Sequence, residues 1–92
     1  MEYVTREKLI DQIRREYSLP KDEVRQIVNR FIDLIIENVG EGRGVQIRGF
    51  GKFVPAQQRE RTVGIGRIPA AVKIKFTMSP KLKREWNPDA YD

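Results

Sequence analysis

A chain of 92 residues with 18 Lys and Arg against 13 Asp and Glu carries net charge +5 and has room for one domain, 1–92. It contains neither Cys nor His, which excludes disulfides, thiolate metal sites, and the commonest general base and metal ligand. No stretch reaches the length of a membrane span and the N-terminus lacks the apolar run of a signal peptide, so a cytoplasmic protein with no membrane partner is expected.

In chain order, Thr5 is a plausible N-cap with Glu7 in the first turn, where the helix dipole favours an acid. Leu9, Ile10, Ile13 and Tyr17 fall on one face and predict a first helix over about 5–17. Ser18-Leu19-Pro20 breaks it, and Pro20 suits the start of a second helix. That helix carries Val24, Ile27, Val28, Phe31, Ile32, Ile35 and Val39 at helical spacing, with Leu34 and Ile36 off the stripe. A helix apolar on most sides must be covered on most sides. The rest of so short a chain can cover one flank only, which predicts a second copy on the other and hence an intertwined homodimer.

Gly40-Glu41-Gly42-Arg43-Gly44 ends the second helix. A phosphate-cradling loop follows a strand and opens a helix, whereas this one does the reverse, so a helix cap and turn are expected. Val45, Ile47, Phe50 and Phe53 read as strand residues, with Gly49 and Gly51 marking a tight bend. The chain from Phe53 to Thr62 is extended but polar, Gly64-Ile65-Gly66 is a turn, and Val72, Ile74 and Phe76 alternate with Lys73 and Lys75. Residues of about 54–72 thus form a hairpin with little apolar surface at its far end, an arm that projects. Pro80 opens a last helix through Trp86, and Pro88 ends it.

Charge is divided unevenly along this order. Residues 43–84 hold eleven Lys and Arg and one acid, Glu60, for a net +10, while residues 1–40 hold seven bases and eight acids, for a net −1. A positive surface concentrated on the sheet and hairpin points to a polyanion partner.

The arrangement resembles the HU and integration host factor family of bacterial histone-like DNA-binding proteins. The resemblance rests on Thr5, Leu9-Ile10, Val45-Gln46-Ile47, Gly49-Phe50-Gly51-Lys52-Phe53, Ile68-Pro69-Ala70, Phe76 and Leu82-Lys83, and spans roughly residues 3–86. It implies an α+β homodimer with a helical base of two N-terminal helices per chain, a three-stranded antiparallel sheet with a β-ribbon arm, and a short C-terminal helix. It also implies a nucleoid-associated protein whose arms enter the minor groove of double-stranded DNA and bend it. Family arms end in Gly-Arg-Asn-Pro, whose proline wedges between base pairs. Gly66-Arg67-Ile68-Pro69 could be aligned to that tip, but Pro69 lies seven residues before Phe76, the spacing of the family's Ile-Pro-Ala at the arm root. On that alignment the arm is about six residues shorter than usual, or about 10 Å in reach. Ile65 is then either the substitute wedge or an exposed turn residue.

The expected DNA contacts are Arg59, Arg61 and Arg67 on the arm, Lys73 and Lys75 on the last strand, Arg48 and Lys52 at the sheet turn, and Lys81, Lys83 and Arg84 near the last helix, with Ile65 at the tip. Phe50, Phe53 and Phe76 could stack bases, but their spacing suits packing better; Trp86 and Tyr91 are expected to pack at an edge. The leading expectation is an architectural, largely sequence-nonspecific duplex-binding protein. A protein-interaction module on the same fold, with reduced or lost DNA bending, is the alternative. An enzyme, which would need clustered carboxylates or an activated Ser, Thr or Lys, is not expected, and neither is a small-molecule substrate or cofactor.

Overall fold

The computed structural model describes residues 1–58, 61–63, 66–68 and 71–90, with backbone alone at 58, 61–63, 66–68, 71 and 90. Its elements are α1 (Arg6–Tyr17), α2 (Lys21–Gly40), β1 (Val45–Ile47), β2 (Gly51–Gln58), β3 (Arg61–Val63), β4 (Gly66–Ile68), β5 (Ala71–Met78), α3 (Pro80–Trp86) and a 3₁₀ turn, Pro88–Ala90. This is the expected α+β order, and its two compact units are Met1–Leu34 and Ile35–Asp92.

In the first unit, α1 begins where the Thr5 hydroxyl accepts the Lys8 N–H at 3.3 Å. That bond satisfies one of the amides a helix start leaves orphaned. The helix ends as Ser18 turns left-handed (φ 54°), with the Ser18 and Leu19 amides both donating to the Arg14 carbonyl. Ile10 of α1 and Val24 of α2 are buried. The α2 stripe predicted as one surface divides: Val28 and Ile32 are half-buried, whereas Ile27, Phe31 and Leu34 are exposed, Phe31 at 54%. Positions 27, 31 and 34 recur at helical spacing, so they form an apolar stripe that this unit leaves in water. Leu9 and Tyr17, expected on the packed face of α1, are exposed as well.

Charges in this unit pair with one another. Arg25 grips Glu7 with two bonds, Nε to Oε1 at 3.1 Å and Nη2 to Oε2 at 3.0 Å, and holds Asp22 at 2.7 Å. Arg15 pairs with Asp11 at 2.5 Å, and Lys21 stands 4.0 Å from the same carboxylate. The hydrogen bond from Arg25 holds the Glu7 carboxyl below the ordinary glutamate range and raises the guanidinium in turn. Folded Glu7 therefore binds its proton less readily than unfolded Glu7, so the stabilisation is complete above the ordinary glutamate pKa and is lost as pH falls below it. Glu7→Gln should lower stability at neutral pH and flatten its fall below about pH 4.3, as read by thermal unfolding between pH 3 and 7.

In the second unit, α2 ends in a Schellman cap. The Arg43 amide donates to the Asn38 carbonyl and the Gly42 amide to that of Val39, each at 3.0 Å, with Gly42 at φ +89°. The Arg43 side chain donates from Nε to Asn38 Oδ1 at 2.9 Å and also pairs with Glu41. Val39 is the buried apolar residue of this helix end.

The sheet order is β1-β2-β5, antiparallel throughout. Between β1 and β2 the Phe50 amide donates to the Ile47 carbonyl at 3.0 Å, and Gly49 takes φ +82° at the third position of the turn. Only glycine adopts that conformation without strain, as in a type II turn. Gly51 answers a different demand, because a Cβ there would lie 2.4 Å from the Thr77 carbonyl oxygen and 2.7 Å from the Phe76 ring. Phe76 lies opposite Phe53, and the rings of Phe50, Phe53 and Phe76 cluster with centroids 4.9–6.2 Å apart. Packing, the favoured of the two readings for these rings, is what the unit uses them for. Alternation then puts Val45, Ile47, Phe53, Pro55, Ile74 and Phe76 on one face and Lys52, Lys73 and Lys75 on the other.

The arm contains a second ladder. β3 and β4 pair from Arg61–Ile68 to Val63–Gly66, in the register that the β2–β5 ladder begins. The described part of this ladder ends at the Val63–Gly66 pair. Arg59, Ile65, Pro69 and Tyr91 themselves lie outside the described residues. α3 is capped by Ser79, whose Oγ accepts the Leu82 amide at 3.2 Å, and the Ser79 amide donates to the Phe50 carbonyl at 2.9 Å. Trp86, expected to pack at an edge, is instead 72% exposed.

Two substitutions check these constraints. Gly51→Ala should destabilise by about 1–3 kcal/mol, because backbone rather than a flexible side chain must yield. Ser79→Ala should cost about 1 kcal/mol through loss of the cap alone. Urea unfolding reads both, and a Gly51→Ala protein as stable as the parent would contradict the close approach.

Candidate nucleic-acid interface

The second unit contains a cleft between the β1–β2 turn and the start of α3. Gln46, Arg48, Lys52, Thr77, Lys83 and Arg84 line it together with Ile47, Gly49, Gly51, Met78, Ser79 and Pro80. Four of these residues are cations and none is an acid. Local structure explains the convergence. The glycine turn exposes Arg48, strand alternation points Lys52 off the apolar face, and the bond from the Ser79 amide to Phe50 brings α3 alongside with Lys83 and Arg84.

Lys73 and Lys75 are exposed on β5, and register places Lys75 diagonally from Lys52 on the same sheet face. Lys81 is exposed on α3. Arg61 and Arg67 lie on the paired strands β3 and β4, one register step apart across the ladder. Of the eleven residues read from the sequence as DNA contacts, four therefore meet in one cleft, two extend its sheet face, and two lie on the distal ladder. Lys81 stands apart on α3, and Arg59 and Ile65 lie outside the described residues.

Most cations of this unit have no counter-charge among the described residues, a property shared by Arg6, Lys8 and Arg14 of the first. Arg48, Lys52, Lys73, Lys75, Lys81, Lys83 and Arg84 form no ion pair with a described residue, whereas Arg15, Lys21, Arg25 and Arg43 do. Arg84 donates Nε only to the Pro80 carbonyl, at 3.4 Å. Arg43, counted at the head of the basic segment, is committed to Asn38 and Glu41 in the helix cap. Seven unpaired cations around a cleft and one strand are a surface built for an anion supplied from outside.

Sequence reasoning did not foresee that the sheet turn and the last helix share a cleft, nor that Gln46, Thr77 and Ser79 add polar groups to it. The joining contact is a backbone bond between positions 29 residues apart, which side-chain pattern does not encode. Among the described residues no group of three or more acidic, His or Cys side chains could hold a metal ion, and no helix is long and apolar enough to cross a membrane.

Comparison with known proteins agrees with this geometry. Residues 4–87 match the family model described as bacterial DNA-binding protein. DNA-binding protein HU-1 of Halalkalibacterium halodurans is 33% identical over 79 residues, covering 83% of this chain and 84% of that one. DNA-binding protein HU of Lactococcus lactis is 33% identical over 81 residues, 85% and 86% of the two chains. Among solved structures, an Anabaena HU–DNA cocrystal structure superposes with TM-score 0.79 at 22% identity, covering 92% of this chain and 99% of the other. By its match over nearly its whole length and its likeness to the HU proteins, the chain belongs to the bacterial DNA-binding protein family.

Proposed function

We propose that this protein is an architectural, non-enzymatic DNA-binding protein, acting as a homodimer on double-stranded DNA with little sequence preference. The observation that carries the reading is the set of seven cations, Arg48 to Arg84, that no described acid neutralises. Lys and Arg on phosphates supply affinity without base readout, each contact releasing condensed counterions. Arg59, Arg61 and Arg67 extend the same charge along the arm into the minor groove, whose degenerate edges suit broad sequence tolerance. The family relatives, named as DNA-binding proteins HU, support the same reading.

The homodimer reading is supported by the apolar side chains each unit leaves in water: Ile27, Phe31 and Leu34 in the first, and Phe50, Ile74 and Phe76 in the second. Burying such a side chain fully is worth about 1.5–3 kcal/mol, a strong reason for a second copy to cover it. Residues 1–92 act on this reading as one domain with an arm at about 54–72, nucleoid-associated in the cytoplasm. On this reading the arm is shortened at its tip, and Ile65 is either the residue that wedges between base pairs or an exposed turn residue.

The test is salt dependence. Affinity for a 30-base-pair duplex should fall steeply and log-linearly with salt, and the triple variant Lys52→Gln, Lys83→Gln, Arg84→Gln should reduce the slope by about 2–3 at equal fold stability. An unchanged slope would remove the cleft from the interface. Weak affinity that ignores salt would favour the protein-interaction alternative.

A further inference from the structure

β2 has a strand on both sides only at its start. β1 pairs with it from Gly51 to Phe53, while the β2–β5 ladder runs on to Gln58 and Ala71. Continuing the β1 register would set Gly44 opposite Val54 and Arg43 opposite Pro55. Gly44 does stay beside Val54, where a Cβ on it would meet Val54 Cγ1 at 3.4 Å. Arg43 instead gives its amide to the Asn38 carbonyl in the α2 cap, at 3.0 Å. From Pro55 onward, the side of β2 away from β5 therefore has no strand beside it among the described residues. β5, last in the sheet order, has its own outer edge open from Ala71 to Met78.

An open strand edge is a template for another chain, and native sheets blunt such edges with lysine or proline. β5 has the exposed Lys73 and Lys75. β2 has no charge from Phe53 to Gln58, and its one device of this kind in that stretch is Pro55, the first position with neither β1 nor Gly44 beside it. The β2–β5 ladder passes through the Pro55–Ile74 pair in unbroken register, so the ring nitrogen is turned to the open side, where a strand tolerates a proline. We propose that Pro55 guards the open β2 edge against the same strand of a second copy and so keeps the ribbon two strands wide. A second β2 is the partner to be excluded because a neutral strand meets its own copy without repulsion, whereas lysines facing lysines oppose such pairing at β5. The role concerns backbone edges and stands apart from the DNA reading, on which a narrow ribbon is what a minor groove about 6 Å wide admits.

Pro55→Val returns the missing N–H and leaves a neutral run from Phe53 to Gln58 without proline, the composition that pairs edge to edge. In sedimentation velocity from micromolar to millimolar protein, the parent should keep one mass and Pro55→Val should rise to about twice that mass or more. Pro55→Lys, which returns the N–H together with a charge, should stay at the parent's mass. In dilute protein of either variant the introduced amide should exchange as fast as in an unstructured peptide, while the Val54 and Ala56 amides, turned toward β5, stay protected. Pro55→Val at the parent's mass throughout overturns the guard. So does a protected amide at that position in dilute protein, which would place the donor inside the ladder. Loss of fold in both variants also overturns it, since the proline would then serve the ladder itself. A parent that fails to bind duplex DNA would remove the DNA reading and leave the guard standing.

Discussion

β2 passes β5 at Gly51 with no room for a side chain, and much of the charged surface depends on that approach. The Thr77 carbonyl and the Phe76 ring occupy the space a Cβ would need, so β2 and β5 meet with Gly51 opposite Met78 and Phe53 opposite Phe76. Side chains alternate with a period of two, so a slip by one residue would exchange the faces of the sheet. Lys52 would then share a side with Ile74 and Phe76, or Lys73 and Lys75 with Phe53. A steric demand at one glycine thus decides where the positive charge lies, and the distal β3–β4 ladder keeps the same register.

The two units distribute their chemistry differently. In the first, acids and bases answer one another across α1 and α2, with Arg25 bridging Glu7 and Asp22. In the second, Arg43 pairs with Glu41 while Arg48, Lys52, Lys73, Lys75 and the cations of α3 have no acid partner among the described residues, and the rings of Phe50, Phe53 and Phe76 cluster in the same unit. Ion pairs as exposed as those of the first unit contribute little stability each. What they do is neutralise that surface, which leaves the long-range field of the protein to the second unit. Among the described residues the buried apolar set is small, Ile10, Val24 and Val39, as expected of a chain whose cover comes partly from a second copy.

Helix ends were legible in the sequence because capping is local chemistry. Thr5 and Gly42 each sit where their side chain, or the lack of one, lets an amide or carbonyl a few residues away be satisfied, and Pro80 opens α3 as read, while the Ser79 cap before it was not foreseen. The bend at Gly49 and Gly51 and the alternation of β5 were legible for the same reason. The division of the α2 stripe into a half-buried face and an exposed face was not, since Val28 and Phe31 look alike to a periodicity argument. The cleft was invisible because a backbone bond from Ser79 to Phe50 creates it. Arg43, counted in the basic stretch by position, lies by contact in the cap that the Gly40–Gly44 segment was read to form.

The solitary cations have a consequence for what can regulate the surface. No carboxylate of a described residue has to be pulled off Arg48, Lys52, Lys83 or Arg84 before a phosphate takes its place, and dissolved ions are what it displaces. The cleft is lined by no acid and the chain contains no histidine, so its side chains present positive charge alone. Such a surface answers to ionic strength, so that osmotic upshift is a condition that loosens its grip.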